Sequence, residues 1–211
     1  MGRFPKGERI ISCAARLLQE ADGSALLEFA IVLPLLVVFV VGIFDFSGAF
    51  NQKQKIDQAA QEGAIIAGAQ PMSDIQPTNT NPTSLLPVVS TVFNSLLASG
   101  VLPQGTTCAA PGVISGPGTT PGTTLTWTYT ISGCTTIAGD QLIITINRGC
   151  VCGGSCAPTC TSGPPVSVGT VVTVQYPYHW RFNSVIQLLA PGANYAALTQ
   201  LSESATVHNQ I

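Results

Sequence analysis

A long apolar run dominates the N-terminal part of the chain. No residue from Phe29 to Phe44 is charged, and Glu28 is the only charged residue between Ser24 and Phe44. Counted from Ala25 to Phe46, the run is long enough for an α-helix that crosses a bilayer, which needs about 20 mostly apolar residues. Because the apolar region of a secretory signal peptide spans about 7–15 residues, signal-peptidase cleavage near residues 47–49 is the less favoured alternative.

The pattern changes to a regular helical periodicity after this run. Over residues 51–69, apolar and small side chains recur at spacings of three and four, while Lys53, Asp57 and Gln61 mark another face. This pattern predicts a single helix over Ser24–Ala69, whose outer part forms a stem. The small residues either let neighbouring helices approach closely or cover the protein's own C-terminal domain, and both alternatives stay open. This stem stripe consists of Ile56, Ala59, Ala60, Gly63, Ala64, Ala67 and Gly68.

Turn-forming residues separate the stem from the rest of the chain. Residues 70–83 are rich in Pro, Asn, Thr and Ser and predict a linker. An amphipathic helix is predicted from Ser84 to Ala98, with Pro87 in its first turn and Gly100 after its end. Beyond it, β-branched and aromatic runs alternate with Gly- and Pro-rich turns, which predicts an antiparallel sheet. The predicted strands are Thr123–Ile131, Gln141–Asn147, Val166–Tyr178 and Leu201–Val207, and Phe182–Leu189 is a short amphipathic segment.

The predicted fold class is α+β. A long N-terminal membrane-spanning helix precedes a small, disulfide-containing antiparallel β-sheet domain with one or two short helices. The predicted domains are a basic leader over residues 1–23, a transmembrane and stem helix over 24–69, a linker over 70–83 and an extracytoplasmic domain over 84–211.

The distribution of charge orients this arrangement. Four of the eight basic residues, Arg3, Lys6, Arg9 and Arg16, precede the apolar run, so the N-terminus is expected in the cytoplasm and the C-terminal domain outside it. Only 9% of the residues are charged and the net charge is −2, which argues against nucleic-acid binding and against a freely soluble cytoplasmic enzyme.

A carboxylate beside a membrane helix needs an explanation, because a charge at the bilayer centre costs roughly 2.5–3.5 kcal/mol on insertion scales. Gly23 followed by Ser24-Ala25-Leu26-Leu27-Glu28-Phe29 resembles the processing site of type IV prepilins. The continuation through residues 28–36, 42–46 and 59–64 resembles the TadE/TadG-like minor pilins, or pseudopilins, of the tight-adherence (Tad, or Flp) pilus system.

This resemblance implies a function and partners. A prepilin peptidase would recognise Glu28 and Phe29 and cut between Gly23 and Ser24. Glu28 would then pair with the new amine of Ser24, on its own or a neighbouring subunit, during assembly with other pilins and the Tad machinery. The protein would sit in the bacterial inner membrane, in contact with lipid, and would support pilus assembly, adhesion and biofilm formation. The alternative for Glu28 is a carboxylate that reaches the membrane edge without a partner.

Pro34 and Asp45 are two further residues of note in the predicted membrane helix. Pro34 removes one backbone hydrogen bond and is expected to bend the membrane helix, and it also belongs to the family resemblance. Asp45 is expected at the outer headgroup layer, where a solvated side chain is the favoured interpretation.

Six cysteines follow the apolar run, and Cys13 lies in the leader. In an oxidising compartment an even number of cysteines favours disulfides, although six cysteines permit fifteen pairings. Cys108 and Cys134 are expected to pair with the Gly-rich loop at residues 150–160 or with each other. A metal site in that loop is the less favoured alternative, because the spacing does not match structural zinc sites. The candidate cysteines are Cys108, Cys134, Cys150, Cys152, Cys156 and Cys160.

No pattern of catalytic residues emerges, so neither enzymatic activity nor a cofactor or metal is expected. The cluster at residues 179–182, which begins with His179, is interpreted as a structural turn at the rim of the sheet rather than as a ligand site. Two alternatives to a minor pilin remain: an uncleaved membrane-anchored binding domain, and a tethered exported enzyme that depends on a metal or a thiol.

Overall fold

A computed structural model describes residues 8–103, 107–119, 125–135, 140–150, 169–180 and 198–210. In these residues the chain forms a long helix, a short helix and an antiparallel sheet, which confirms the predicted α+β class with its long N-terminal helix. The elements are α1 (Glu8–Ala69), a 3-10 turn (Thr83–Leu85), α2 (Leu86–Ala98), β1 (Val113–Ser115), β2 (Thr126–Ser132), β3 (Gln141–Cys150), β4 (Gly169–His179) and β5 (Leu198–His208).

Helix α1 is 62 residues long and contains Pro34. It begins at Glu8, earlier than the predicted start at Ser24, and it ends at the predicted Ala69. The described residues divide into two units, one with residues 8–46 and the other with the described residues from 47 onwards. The second unit contains the stem part of α1, α2 and the whole sheet.

The sheet is a five-stranded meander in which every neighbouring pair is antiparallel, in the order β1-β2-β3-β4-β5. Burial alternates along the strands: in β2, Trp127, Tyr129 and Ile131 are buried, while the residues between them are half-buried. One face of the sheet therefore carries the core, as is common for antiparallel sheets. On the opposite face the register aligns a row of hydroxyl side chains across all five strands: Ser115, Thr128, Thr145, Thr173 and Ser204.

The core of the second unit lies where the stem, α2 and the sheet meet. A Cβ atom built on Gly63 of the stem would overlap Val92 of α2 and contact Val172 of β4 at 3.4 Å. Helix α2 has a proline in its first turn, as predicted, and Gly100 follows its end with a φ of +71°. The fully buried residues come from all three elements and include Ile56, Ala59, Val88, Val92, Leu96, Trp127, Ile144 and Val172.

The segment between the stem and α2 is tied to the domain by hydrogen bonds. The backbone N–H of Ser84 donates to Oδ2 of Asp74 at 2.8 Å, and the side chain of Asn79 donates to the carbonyl oxygen of Asp74 at 2.7 Å. The indole N–H of Trp127 on β2 donates to the carbonyl oxygen of Asn79 at 2.9 Å. These bonds tie residues 74–84 to strand β2, and Ile75 in this segment is buried.

The strand ends differ from the predictions by a few residues, and β1 was not predicted. Its three residues follow Pro111 and Gly112 and precede Gly116 and Pro117, so they lack the length of a recognisable strand pattern. The amphipathic segment predicted at residues 182–189 lies outside the described residues.

Candidate membrane anchor and stem

The apolar part of α1 exposes its side chains instead of burying them. Leu26 is 70% exposed, Phe44 is 69% exposed, and no part of the most apolar window, with a mean hydropathy of 2.8, is buried. Among the described residues, this is the one helix that is long and apolar enough to cross a membrane. A helix in a soluble core would bury these residues, so the exposure indicates a single-pass membrane anchor.

The residues predicted for processing lie on the same continuous helix. The backbone is helical through Gly23 and Ser24, and the side chains of Glu28 and Phe29 are exposed. Ser24 and Glu28 are four positions apart, which places them on one face of the helix about one turn from each other. Helix α1 continues through Pro34 without interruption.

Asp45 differs from its prediction. Its side chain is 3% exposed, so the interpretation as a solvated interfacial carboxylate is wrong. Asp45 also makes a polar or electrostatic contact. This agrees with the high cost of burying an unpaired carboxylate.

The stem stripe covers the protein's own domain, which resolves the two alternatives for its small residues. Ile56, Ala59 and Ala60 are fully buried against the domain core. Gly68 packs so closely on β5 that an added Cβ would lie 2.9 Å from Cγ1 of Val207. Small residues here let α1 approach its own sheet, and this face of the stem is not available to neighbouring subunits.

The opposite side of the stem remains accessible. Phe50 is 55% exposed and Ile65 is 64% exposed. Polar side chains between them bond along the helix, with Gln58 donating to Glu62 at 3.1 Å and Gln61 donating to Asp57 at 3.0 Å. The stem also carries an ion pair to β5, between Nζ of Lys53 and Oε1 of Glu203 at 2.9 Å.

A buried arginine, which the sequence analysis missed, holds the end of the stem. Arg148 on β3 is fully buried, and its Nη2 atom donates to the carbonyl oxygen of Gln70 at 2.9 Å. The same atom contacts the sulfur of Met72 at 2.8 Å. Gln70 directly follows α1, so a cation lies at the negative end of the helix dipole.

The electrostatics of this corner involve Asp74 and Tyr129. Burial lowers the pKa of Arg148, and the charge of Asp74 opposes that shift. Partial burial alone would raise the pKa of Asp74, but hydrogen bonds from Ser84 and Thr83 outweigh it and hold that pKa below 3.8. Burial, together with the charge of Asp74, raises the pKa of Tyr129 to about 12. Asp74 therefore stays ionised and partly balances the buried guanidinium.

The histidine cluster at the rim of the sheet makes structural contacts. Nε2 of His179 contacts Oδ2 of Asp140, which also accepts a hydrogen bond from Thr135 at 3.3 Å. The rings of Tyr178 and Trp180 meet edge to face, with centroids 5.2 Å apart. His179 is the last residue of β4 and pairs with Leu198 of β5, while Arg181 and Phe182 lie outside the described residues, so the turn at residues 179–182 stays a prediction.

Two of the predicted cysteines lie together. Cys134 is fully buried two residues after the end of β2, Cys108 is half-buried, and their side chains are in hydrogen-bonding contact as thiols. Burial raises the pKa of Cys134, and the contact with Cys108 adds to that increase. Of the remaining candidates, Cys150 is described only as part of β3, and Cys152, Cys156 and Cys160 lie outside the described residues.

Comparisons with known proteins agree with the interpretation of the anchor and stem. The family model described as TadE-like protein matches residues 23–64, which is the part of α1 from the predicted processing glycine into the buried stem. Searches of curated proteins and of solved structures found no match. The resemblance to TadE-like proteins that the sequence shows is thus confirmed over residues 23–64.

Proposed function

Because residues 23–64 form a TadE-like segment, we propose that the protein is a minor pilin, or pseudopilin, of a Tad pilus that acts in pilus assembly, adhesion and biofilm formation. The observation that carries this proposal is the coincidence of the family match with an apolar helix whose side chains are exposed. The match begins at Gly23, the glycine that precedes the predicted cleavage position.

A prepilin peptidase removes residues 1–23 by cutting between Gly23 and Ser24. The backbone is helical on both sides of this bond, so the peptidase must open the helix locally to reach the peptide bond. Glycine has a low helix propensity, about 1 kcal/mol less favourable than alanine, which lowers the cost of that opening at Gly23. The cut converts the amide of Ser24 into an amine, whose usual pKa of about 7.7–8.0 leaves it mostly protonated at neutral pH.

The new amine and Glu28 then form a charge pair in the membrane. An isolated carboxylate in lipid is costly, whereas an opposite charge at hydrogen-bonding distance compensates it. Pairing between the amine of one subunit and Glu28 of its neighbour sets the register in which two anchors pack. The exposed side chains from Leu26 to Phe46 supply the surface for this packing, because the buried face of the stem already covers its own domain.

The domain from residue 47 onwards lies outside the inner membrane, and the N-terminus lies in the cytoplasm. The basic residues before the apolar run support this orientation. The partners are therefore the prepilin peptidase, other pilins and the Tad assembly machinery.

The role of Glu28 tests this function directly. A strain that carries Glu28→Ala should process the chain but incorporate less of it into sheared pili or into complexes cross-linked to other pilins. Glu62→Ala is the matched control, because Glu62 is an acid on the same helix outside the apolar run. Pilus incorporation of Glu28→Ala at the level of the unmodified chain would overturn the proposed pairing.

A further inference from the structure

We propose that Cys108 and Cys134 form a disulfide that fastens the connection between α2 and β1 to the end of β2. The fold already brings the two thiol groups into contact with each other. The sequence left fifteen complete pairings of the six cysteines open, and a bond between Cys108 and Cys134 reduces them to three. That the disulfide forms outside the cytoplasm rests on the proposed export of the domain. The ability of the two thiols to form it does not depend on that proposal.

Gly133 lies where the segment with Cys108 approaches the turn after β2. Gly133 has a φ of +76°, and a Cβ atom built there would lie 2.9 Å from Oγ1 of Thr107 and 3.6 Å from the backbone nitrogen of Cys108. The positive φ disfavours a residue with a side chain at this position, and its Cβ atom would also crowd the hydroxyl group of Thr107. Gly133 thus brings Cys108 beside Cys134.

The position of Cys134 is fixed from the other side by β4. The hydroxyl group of Tyr176 donates to the carbonyl oxygen of Cys134 at 3.3 Å. Cys134 belongs to the domain core, and Cys108 packs against that core from the connecting segment. The disulfide therefore joins a fixed point of the core to a segment that runs along its surface.

Exposure sets the order of the chemical steps. The thiolate of Cys108, the half-buried partner, attacks the disulfide of an exported thiol–disulfide oxidoreductase and forms a mixed disulfide, which releases one thiolate of that enzyme. The thiolate of Cys134 then attacks Sγ of Cys108, which forms the intramolecular bond and releases the second enzyme thiolate. The two cysteines lose two electrons and two protons, and the enzyme disulfide is reduced to a dithiol.

Burial of Cys134 favours oxidation during folding. Burial raises the pKa of this thiol, so in the folded chain little of the attacking thiolate is present at neutral pH. While the domain is still folding, Cys134 is exposed to solvent and reacts more readily. Once formed, the bond is protected, since one of its two sulfur atoms is fully buried.

The test uses the purified full-length chain in detergent, which makes its result independent of membrane orientation. The reduced, unfolded chain is refolded in a buffer of oxidised and reduced glutathione, quenched in acid and treated with a maleimide. Peptide mapping by mass spectrometry then identifies the linked cysteines. The expected product is a peptide pair joined through Cys108 and Cys134, lighter by two hydrogen atoms than the reduced pair.

Single variants and a stability measurement complete the test. In Cys134→Ser the half-buried Cys108 should react with the maleimide in the folded chain, whereas in Cys108→Ser the buried Cys134 should react only after unfolding. Reduction of the natural chain should lower its Tm by roughly 5–15 °C, in line with the usual effect of a native disulfide. Full maleimide labelling of both cysteines after refolding, or linkage of either one to a cysteine of residues 150–160, would overturn the pairing.

Discussion

Nη2 of Arg148 donates a hydrogen bond to the carbonyl oxygen of Gln70 at 2.9 Å, and this bond joins the end of the stem helix to strand β3. The guanidinium is fully buried, whereas the ion pair between Lys53 and Glu203, which also links the stem to the sheet, lies at the surface. The two contacts are therefore expected to differ strongly in their contribution to stability.

Arg148→Ala should lower the free energy of unfolding of the domain by about 3 kcal/mol. The substitution leaves a cavity at the fully buried Arg148 and removes the hydrogen bond to the carbonyl oxygen of Gln70. Lys53→Ala is the matched control and should cost less than about 1 kcal/mol, as exposed ion pairs do. Urea unfolding of the two variants in detergent measures the difference, and equal midpoints would contradict the role assigned to Arg148.

Asp74 should make the stability of the domain depend on acid pH. Its pKa in the folded chain is below the ordinary value of 3.8, so the unfolded chain takes up the proton first as the pH falls. The stabilisation is thus complete above about pH 4 and is lost as the pH falls through the folded-state pKa.

Asp74→Asn should flatten this part of the stability profile, and thermal unfolding between pH 6 and pH 3 measures the change. A substitution of the exposed neighbour Thr80 by Val should leave the profile unaltered. If Asp74→Asn loses as much stability between pH 4 and pH 3 as the natural chain does, the hydrogen bonds to Asp74 do not have the assigned effect.

Gly63→Ala should destabilise the domain although alanine is the better helix former. The new methyl group would overlap Cγ2 of Val92, a β-branched and buried residue that has little freedom to move. Overpacking of this kind costs about 1–3 kcal/mol, which exceeds the gain of about 1 kcal/mol in helix propensity. The control is Gly42→Ala, where a Cβ meets nothing within 4 Å; it should leave the Tm unchanged or raise it, and a Tm for Gly63→Ala equal to that of this control would contradict the packing argument.

The sequence predicted those parts of the fold that depend on periodicity. The apolar run, the stem stripe, α2 and the four longer strands follow from patterns that local chemistry imposes. The sequence did not show whether Gly63 and Gly68 pack against a neighbouring helix or against the protein's own sheet. Small residues permit a close approach in either case.

Three features depended on tertiary contacts that no local pattern records. Arginine is rarely fully buried, so nothing in the sequence around Arg148 marks it as part of the core. Asp45 lies near the predicted membrane boundary, where solvation is the usual state of a carboxylate, and its burial contradicts that expectation. The contact between the thiols of Cys108 and Cys134 depends on the approach of two segments at Gly133, which becomes visible only when the sheet is assembled.

The central claim is that the anchor is a pilin-like segment cut between Gly23 and Ser24. Intact mass and N-terminal sequencing of the membrane-extracted chain, from strains with and without the prepilin peptidase of the Tad system, test it most directly. We predict a chain that starts at Ser24 only when the peptidase is present. A chain that retains residues 1–23 in both strains would contradict the claim and would leave an uncleaved, membrane-anchored domain.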